Sequence, residues 1–171
     1  MTASGPQAVY PADMPLSLLR TAELLPVVTL RLFALPWCAP GEHHPDWRDG
    51  LSAAGIGETG VPAFHALFTL VATTPRRALD VRCRHCRRLG HDEGLFLRLI
   101  SLLQSGWAPD ASAILEDWLP PTAARMAMLP AHGLATAMKT KGLVVPLRHR
   151  EAANLPRASL GCRDRGLALV Q

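Results

Sequence analysis

The chain has 171 residues and a mass of 18.5 kDa, enough for one domain with a substantial hydrophobic core. Nearly half of its residues are apolar, which argues against global disorder, and its four cysteines are too few for a disulfide scaffold. The formal net charge is +4, and it comes almost entirely from arginine, since Lys139 and Lys141 are the only lysines.

Composition favours a helical fold, because leucine and alanine are abundant, aromatics make up 5% of the chain, and 15 prolines imply short helices. We therefore predict an all-α fold, a single small bundle of five or six short helices with irregular loops. It is expected to cover residues 15–146, between a flexible N-terminal arm (1–14) and a basic, weakly ordered C-terminal tail (147–171).

The first predicted helix runs from about Leu16 to Leu35, with a kink or break at Pro26. Alternation over residues 28–32 makes a short strand there the competing interpretation. A loop (36–45) and a short helix (45–54) follow. Residues 55–60 have the spacing G-x-G-x-x-G but follow a helix rather than a strand, so we interpret them as a loop.

The second half contains the clearest helical periodicity. Leu79, Val81 and Cys83 alternate with polar residues, which predicts an extended segment over 78–85. Apolar spacing and helix-breaking residues predict four helices, at about 61–74, 92–105, 110–119 and 123–141.

A C-x2-C pair, Cys83 and Cys86, is the one place where reactive side chains concentrate, with His91 close behind. A dithiol at this spacing can chelate a soft metal or cycle as a disulfide, and the surrounding arginines favour the thiolate.

A structural zinc site needs four ligands, and the C-x2-C pair supplies two. The other candidates are scattered: Cys38, His43, His44, His91 and Cys162. The loop that holds Cys38, His43 and His44 could supply the second half, so zinc is the candidate cofactor. Alternatively, Cys83 packs as a small hydrophobe and Cys86 is incidental.

An enzymatic role has less support in the sequence. A redox C-x2-C normally lies at a helix N-terminus, but the predicted helix begins six residues after Cys86. We find no nucleophile elbow, phosphate loop, HExxH helix or pair of catalytic carboxylates.

Arginine is concentrated ahead of the long helix, with six within thirteen residues: Arg76, Arg77, Arg82, Arg84, Arg87 and Arg88. Such a patch attracts acidic protein surfaces or phosphates, although it can also be an ordinary solvated face, and Asp80, Asp92 and Glu93 could neutralise part of it. Nucleic acid is disfavoured because the middle of the last three helices carries Asp110, Glu116 and Asp117.

The N-terminus lacks a basic start followed by an apolar run, so no secretory signal is predicted. The longest apolar stretch, Leu24 to Leu35, is twelve residues and contains Arg31, which is too short to span a bilayer. We expect a cytoplasmic protein with no membrane partner.

The box Cys83-x2-Cys86-x2-Leu89-x2-Asp92-Glu93, followed by an apolar helix, resembles one in a group of small helical bacterial proteins. Residues 75–79 and 142–146 also resemble that group, and the likeness covers about 45–146. The resemblance implies a compact helical domain with a cysteine box and no particular activity.

We therefore predict a non-enzymatic binding or regulatory module that uses its arginines to bind an acidic partner, with zinc as the candidate metal of the cysteine box. The rival is a thiol-redox or metal-dependent enzyme centred on Cys83 and Cys86. A third possibility is a plain protein-interaction domain with inert cysteines.

Overall fold

The structure is a computed structural model that describes residues 10–148. Over that range the chain forms six α-helices and no strand, which confirms the predicted all-α bundle. The helices are α1 (Thr21–Cys38), α2 (Arg48–Ala53), α3 (Gly57–Thr73), α4 (His91–Gln104), α5 (Ala108–Trp118) and α6 (Pro121–Thr140), and a 3-10 turn, Leu16–Leu18, precedes them.

α4 is the central helix, because it packs against α1, α5 and α6, while α3 lies along α6. Most of the aromatic side chains meet where α1 and α3 cross α4, in a cluster made by Phe33, Trp47, Phe64, Phe68 and Phe96. The Phe64 and Phe68 rings lie 4.7 Å apart, and Phe96 meets Phe68 edge-on at 4.8 Å. Each such pair adds about 0.5–1.5 kcal/mol beyond the burial of its area.

α1 differs from its prediction in length and continuity. It begins at Thr21, continues through Pro26 and Pro36, and ends at Cys38, so of the predicted kink or break at Pro26 the break is wrong, and so is the competing strand. Pro26 has no N–H to donate within the helix, which costs stability. Burial of the neighbouring side chains offsets that cost, since Val27 and Leu30 are almost completely buried.

α1 is also longer than the apolar stretch read from the sequence. By length and composition alone it could cross a membrane, and half of it is buried inside the bundle, as is also expected of a core helix in a globular protein. The length of α1 thus exceeds the twelve-residue apolar stretch on which the bilayer expectation was based, and the expectation of no membrane partner stays a prediction.

α3 begins earlier than expected, at Gly57, so the segment interpreted as a loop is in part the first turn of a helix. Gly55 lies in the turn before α3, where its φ of 74° favours glycine. Gly60 is buried against Ile56, where an added Cβ would lie 3.2 Å from the isoleucine side chain.

Both ends of the described chain pack on the bundle. Tyr10 and Met14, inside the segment predicted as an arm, are buried. The Tyr10 hydroxyl donates to Glu23 Oε1 at 2.9 Å, and Arg148 Nε donates to the same oxygen at 2.7 Å. The rest of the predicted arm and tail (1–9 and 149–171), with Cys162, lies outside the described residues.

Candidate functional site

The segment between α3 and α4 that contains the C-x2-C pair is called here the cysteine loop, residues 79–90. It has no regular secondary structure, yet its apolar side chains Leu79, Val81, Cys86 and Leu89 are buried. Its backbone pairs with the N-terminal segment, since Leu89 N–H donates to the Met14 carbonyl at 2.8 Å and Leu16 N–H to the Arg87 carbonyl at 2.9 Å. The loop is therefore held along both its side chains and its main chain.

The two cysteines lie at the ends of a turn, in which the amide of Cys86 donates to the carbonyl of Cys83 at 3.0 Å. Cys83 is exposed and Cys86 is buried. The alternative in which Cys83 packs as a small hydrophobe and Cys86 is incidental is therefore wrong, because the chain turns at Cys83 and the alternation stops there. The turn carries Arg84 and His85 at its exposed end.

A buried ion pair anchors the loop. Arg31, from the middle of α1, donates from Nε and Nη2 to the two carboxylate oxygens of Glu93, each at 2.7 Å. The same guanidinium donates to the backbone carbonyls of Cys86 and Arg88. Both charged side chains are essentially inaccessible to water. One arginine thereby fastens the loop to α1 and to the start of α4.

Glu93 also satisfies loop amides, accepting from Gly90 N–H at 2.7 Å and from Arg82 N–H at 3.0 Å. Gly90 is required by close approach, because an added Cβ would lie 2.5 Å from the backbone oxygen of Asp80. Glu93, which the sequence places near the start of a helix, therefore also accepts hydrogen bonds from the backbone of the cysteine loop.

Asp92 makes the second anchor. It accepts from Arg77 at 2.6 and 2.9 Å, from the amide of Asp80 at 2.6 Å and from Trp118 Nε1 at 2.9 Å. Burial acts to raise the pKa of Asp92, but these hydrogen bonds, led by that from Arg77, outweigh burial and hold the pKa below its ordinary value. Asp92 joins the loop to α5.

Sequence reasoning did not identify Arg31 or Trp118 as partners of the cysteine box. The available signal was the position of Arg31, the one charged residue inside the apolar run Leu24–Leu35. A charge at such a position is expected to face a buried counter-charge.

Cys38 is the predicted metal ligand that α1 carries toward the loop. Its thiol donates to the Ala34 carbonyl at 3.0 Å. Burial, and then the nearby charge of Cys83, raise the pKa of Cys38.

The predicted histidine ligands are dispersed. His44 Nε2 lies 2.9 Å from the Ala39 carbonyl oxygen, His43 is exposed, and His91 is the exposed first residue of α4. Among residues 10–148 no three histidine, cysteine or acidic side chains come together as a group that could hold a metal.

The arginine cluster is divided by the fold. Arg77 pairs with Asp92 and Asp117, Arg82 pairs with Asp13 and Asp80, and Arg76 donates to the Glu116 carbonyl. Arg88 Nη1 donates to the backbone carbonyl of Asp13 at 3.0 Å.

Three of the six arginines, Arg76, Arg84 and Arg87, are exposed and form no ion pair with a carboxylate of residues 10–148, and of these Arg76 is held by the Glu116 carbonyl. Arg84 Nε donates to His85 Nε2 at 2.8 Å. Together with Cys83, these side chains form what is called here the loop tip: Cys83, Arg84, His85 and Arg87.

Comparison of the chain with protein-family models, curated proteins and solved structures gives no match.

Proposed function

We propose that the protein is a non-enzymatic binding module that presents the loop tip to an acidic partner. The observation that carries the proposal is the anchoring of this loop by Arg31, Asp92 and Glu93, three buried charges, while its tip faces solvent. Burying charged groups costs several kcal/mol per ion before pairing. The pairing fixes the backbone of the loop before any partner binds. A loop that is already ordered loses less entropy when it binds.

The charge of the tip favours an acidic partner. Among residues 10–148, Arg84 and Arg87 have no carboxylate partner, so their guanidinium groups are available for carboxylates or phosphates. The other arginines of the cluster act within the fold. The attraction should weaken with salt, because the tip is exposed and the Debye length is about 8 Å at physiological ionic strength.

A direct test uses a fluorescent poly-glutamate peptide as the acidic probe and anisotropy as the readout. The variant Arg84→Glu/Arg87→Glu should bind at least about tenfold more weakly, since exposed charge pairs contribute up to ~1 kcal/mol each and reversal adds repulsion. Its matched control is Arg125→Glu/Lys141→Glu, two exposed cations elsewhere with the same change in net charge. Equal binding by both variants, or loss only in the control, contradicts the proposal; circular dichroism checks the fold of each.

Zinc at Cys83 and Cys86 is a separate proposal, supported by the turn that the two cysteines share. It is tested by elemental analysis and thiol titration of untagged protein. About one zinc per chain with blocked thiols supports a structural metal. Metal-free protein with one strongly acidic thiol supports the thiol-redox enzyme instead, and inert thiols with no metal support a plain interaction domain.

A further inference from the structure

The outward face of α1 carries no charge over its full length. The helix contains two charged residues, Glu23 and Arg31, and both are buried. Glu23 pairs with Arg148, and Arg31 pairs with Glu93. A helix on the surface of a monomer normally places its charges toward water and its apolar residues toward the core. Here both ion pairs lie inside the fold.

The side chains left on the outside are nearly all apolar. They are exposed or half-buried, and follow helical spacing: Thr21, Leu24, Leu25, Val28, Leu32 and Pro36. Val28 is 45% exposed, and the half-buried Leu24, Leu25 and Leu32 around it pack in part against the core. We call this surface the α1 stripe. An uncharged, apolar helix face that reaches solvent in this way is suited to an interaction site.

The two ends of the α1 stripe carry opposite charges. Arg20 immediately precedes the helix and Glu42 lies in the turn that follows it, and both are exposed. Neither forms an ion pair with a described residue. The helix has 18 residues and is therefore about 27 Å long. Since this length exceeds the Debye length of ~8 Å, the two end charges do not neutralise each other within one chain.

We propose that a second copy of this chain docks antiparallel on the α1 stripe, independently of the function proposed for the loop tip. A two-fold interface must be complementary to itself. Antiparallel packing brings Arg20 opposite Glu42 of the second copy at both ends, and it also opposes the two helix dipoles. Parallel packing would instead bring Arg20 against Arg20.

The exposed charges around the α1 stripe have both signs. Arg20 lies at one end and Glu42 at the other, and Arg48 and Asp49 are neighbours at the start of α2, whose Gly50 packs beside Leu25. Mixed charges of this kind complement a second copy of the same surface better than a uniformly anionic lipid surface. One helix face is only part of the ~800 Å² per partner that a standard interface buries, so the dimer should dissociate on dilution.

Sedimentation equilibrium of the full chain tests the proposal. The mass should rise with concentration from 18.5 kDa toward twice that value. Val28→Asp should keep the chain monomeric at concentrations where the wild type is dimeric. The matched control is Leu129→Asp on α6, where the side chain is 80% exposed, and it should associate like the wild type.

A charge-swap series tests the antiparallel register, and it stays informative even if Val28→Asp fails to fold. Arg20→Glu and Glu42→Arg should each weaken association, while the double variant Arg20→Glu/Glu42→Arg should restore it. A wild type that is monomeric at every concentration overturns the proposal, as does equal loss of association in the Leu129→Asp control. Failure of the double swap to restore association rules out the antiparallel dimer. Binding of monomeric wild type to phosphatidylglycerol vesicles, lost in Val28→Asp, would assign the stripe to lipid instead.

Discussion

The buried pair between Arg31 and Glu93 should behave as a single energetic unit. Glu93→Gln keeps the shape of the side chain but leaves the Arg31 guanidinium buried without a counter-charge. Arg31→Met leaves the carboxylate with its two backbone donors and removes the donors to the Cys86 and Arg88 carbonyls. Because removing one partner of a buried pair costs about 3–5 kcal/mol, each single variant should lose that much stability.

The double variant Arg31→Met/Glu93→Gln should cost much less than the sum of the two single variants. It buries no unpaired charge, and its remaining cost is that of loop groups without partners, about 1–3 kcal/mol for each buried polar group. The expected coupling energy between the two positions is therefore several kcal/mol, near the upper end of the range for residues in direct contact.

Urea denaturation followed by circular dichroism measures these differences. A domain of this size has a total stability of about 5–15 kcal/mol, so the single variants should be folded without urea and should unfold at low urea concentrations. The control is Arg48→Met, which breaks an exposed pair with Asp46 and should cost less than ~1 kcal/mol. If the costs of the two single variants add to within ~0.5 kcal/mol in the double variant, Arg31 and Glu93 do not act as a pair and the anchoring argument fails.

Three further outcomes follow from the geometry of the loop. Because its pKa is lowered in the folded state, ionised Asp92 stabilises the fold above the unfolded-state pKa of about 3.9, and this contribution is lost as pH falls through the lower folded-state pKa. The variant Asp92→Asn should therefore reduce the loss of stability at acid pH, measured by urea denaturation at a series of pH values. An unchanged acid dependence would contradict this role of Asp92. In native protein, iodoacetamide should label Cys83 much faster than Cys86, because only Cys83 is exposed; peptide mapping that finds equal rates would disagree with the loop structure. Gly90→Ala should lower the melting temperature, because its Cβ would lie 2.5 Å from a backbone oxygen. Gly133→Ala meets only an ordinary contact at 3.6 Å, so it should be neutral or stabilising by ~0.5–1 kcal/mol. A thermal melt that ranks the two variants the other way would refute the close approach at Gly90.

The helices that periodicity predicted most closely are those with strong local signals. α4 begins at His91 and ends at Gln104, within a residue or so of its prediction, because its apolar residues recur at helical spacing before a glycine. α5 and α6 also lie within two residues of their predicted bounds, since each is preceded or followed by proline or glycine. Local spacing is sufficient where one helix face is apolar and its ends are marked.

α1 shows where local rules fail. Pro26 predicts a kink or break, but the helix does not break there because the surrounding side chains are buried against other elements. Burial against distant parts of the chain outweighs a local preference of a few kcal/mol, and a sequence window does not contain those distant residues.

The cysteine box was recognisable in the sequence, but the roles of its residues were not. One alternative had Cys83 packing as a small hydrophobe, but the turn at Cys83 leaves it exposed and buries Cys86 instead. The six clustered arginines look equivalent along the chain, yet the fold pairs several internally and leaves Arg84 and Arg87 exposed. Whether a charge is neutralised depends on which carboxylates the fold brings within reach.

By itself, the sequence determined the all-α class, the approximate bounds of the later helices and the position of the cysteine box, because composition and local periodicity report which faces are apolar. Only the tertiary structure decided that Arg31 anchors the box through Glu93, 62 residues away, and that the outer face of α1 is uncharged. Both depend on contacts between residues far apart in the chain, and the pattern around either residue does not specify its partner.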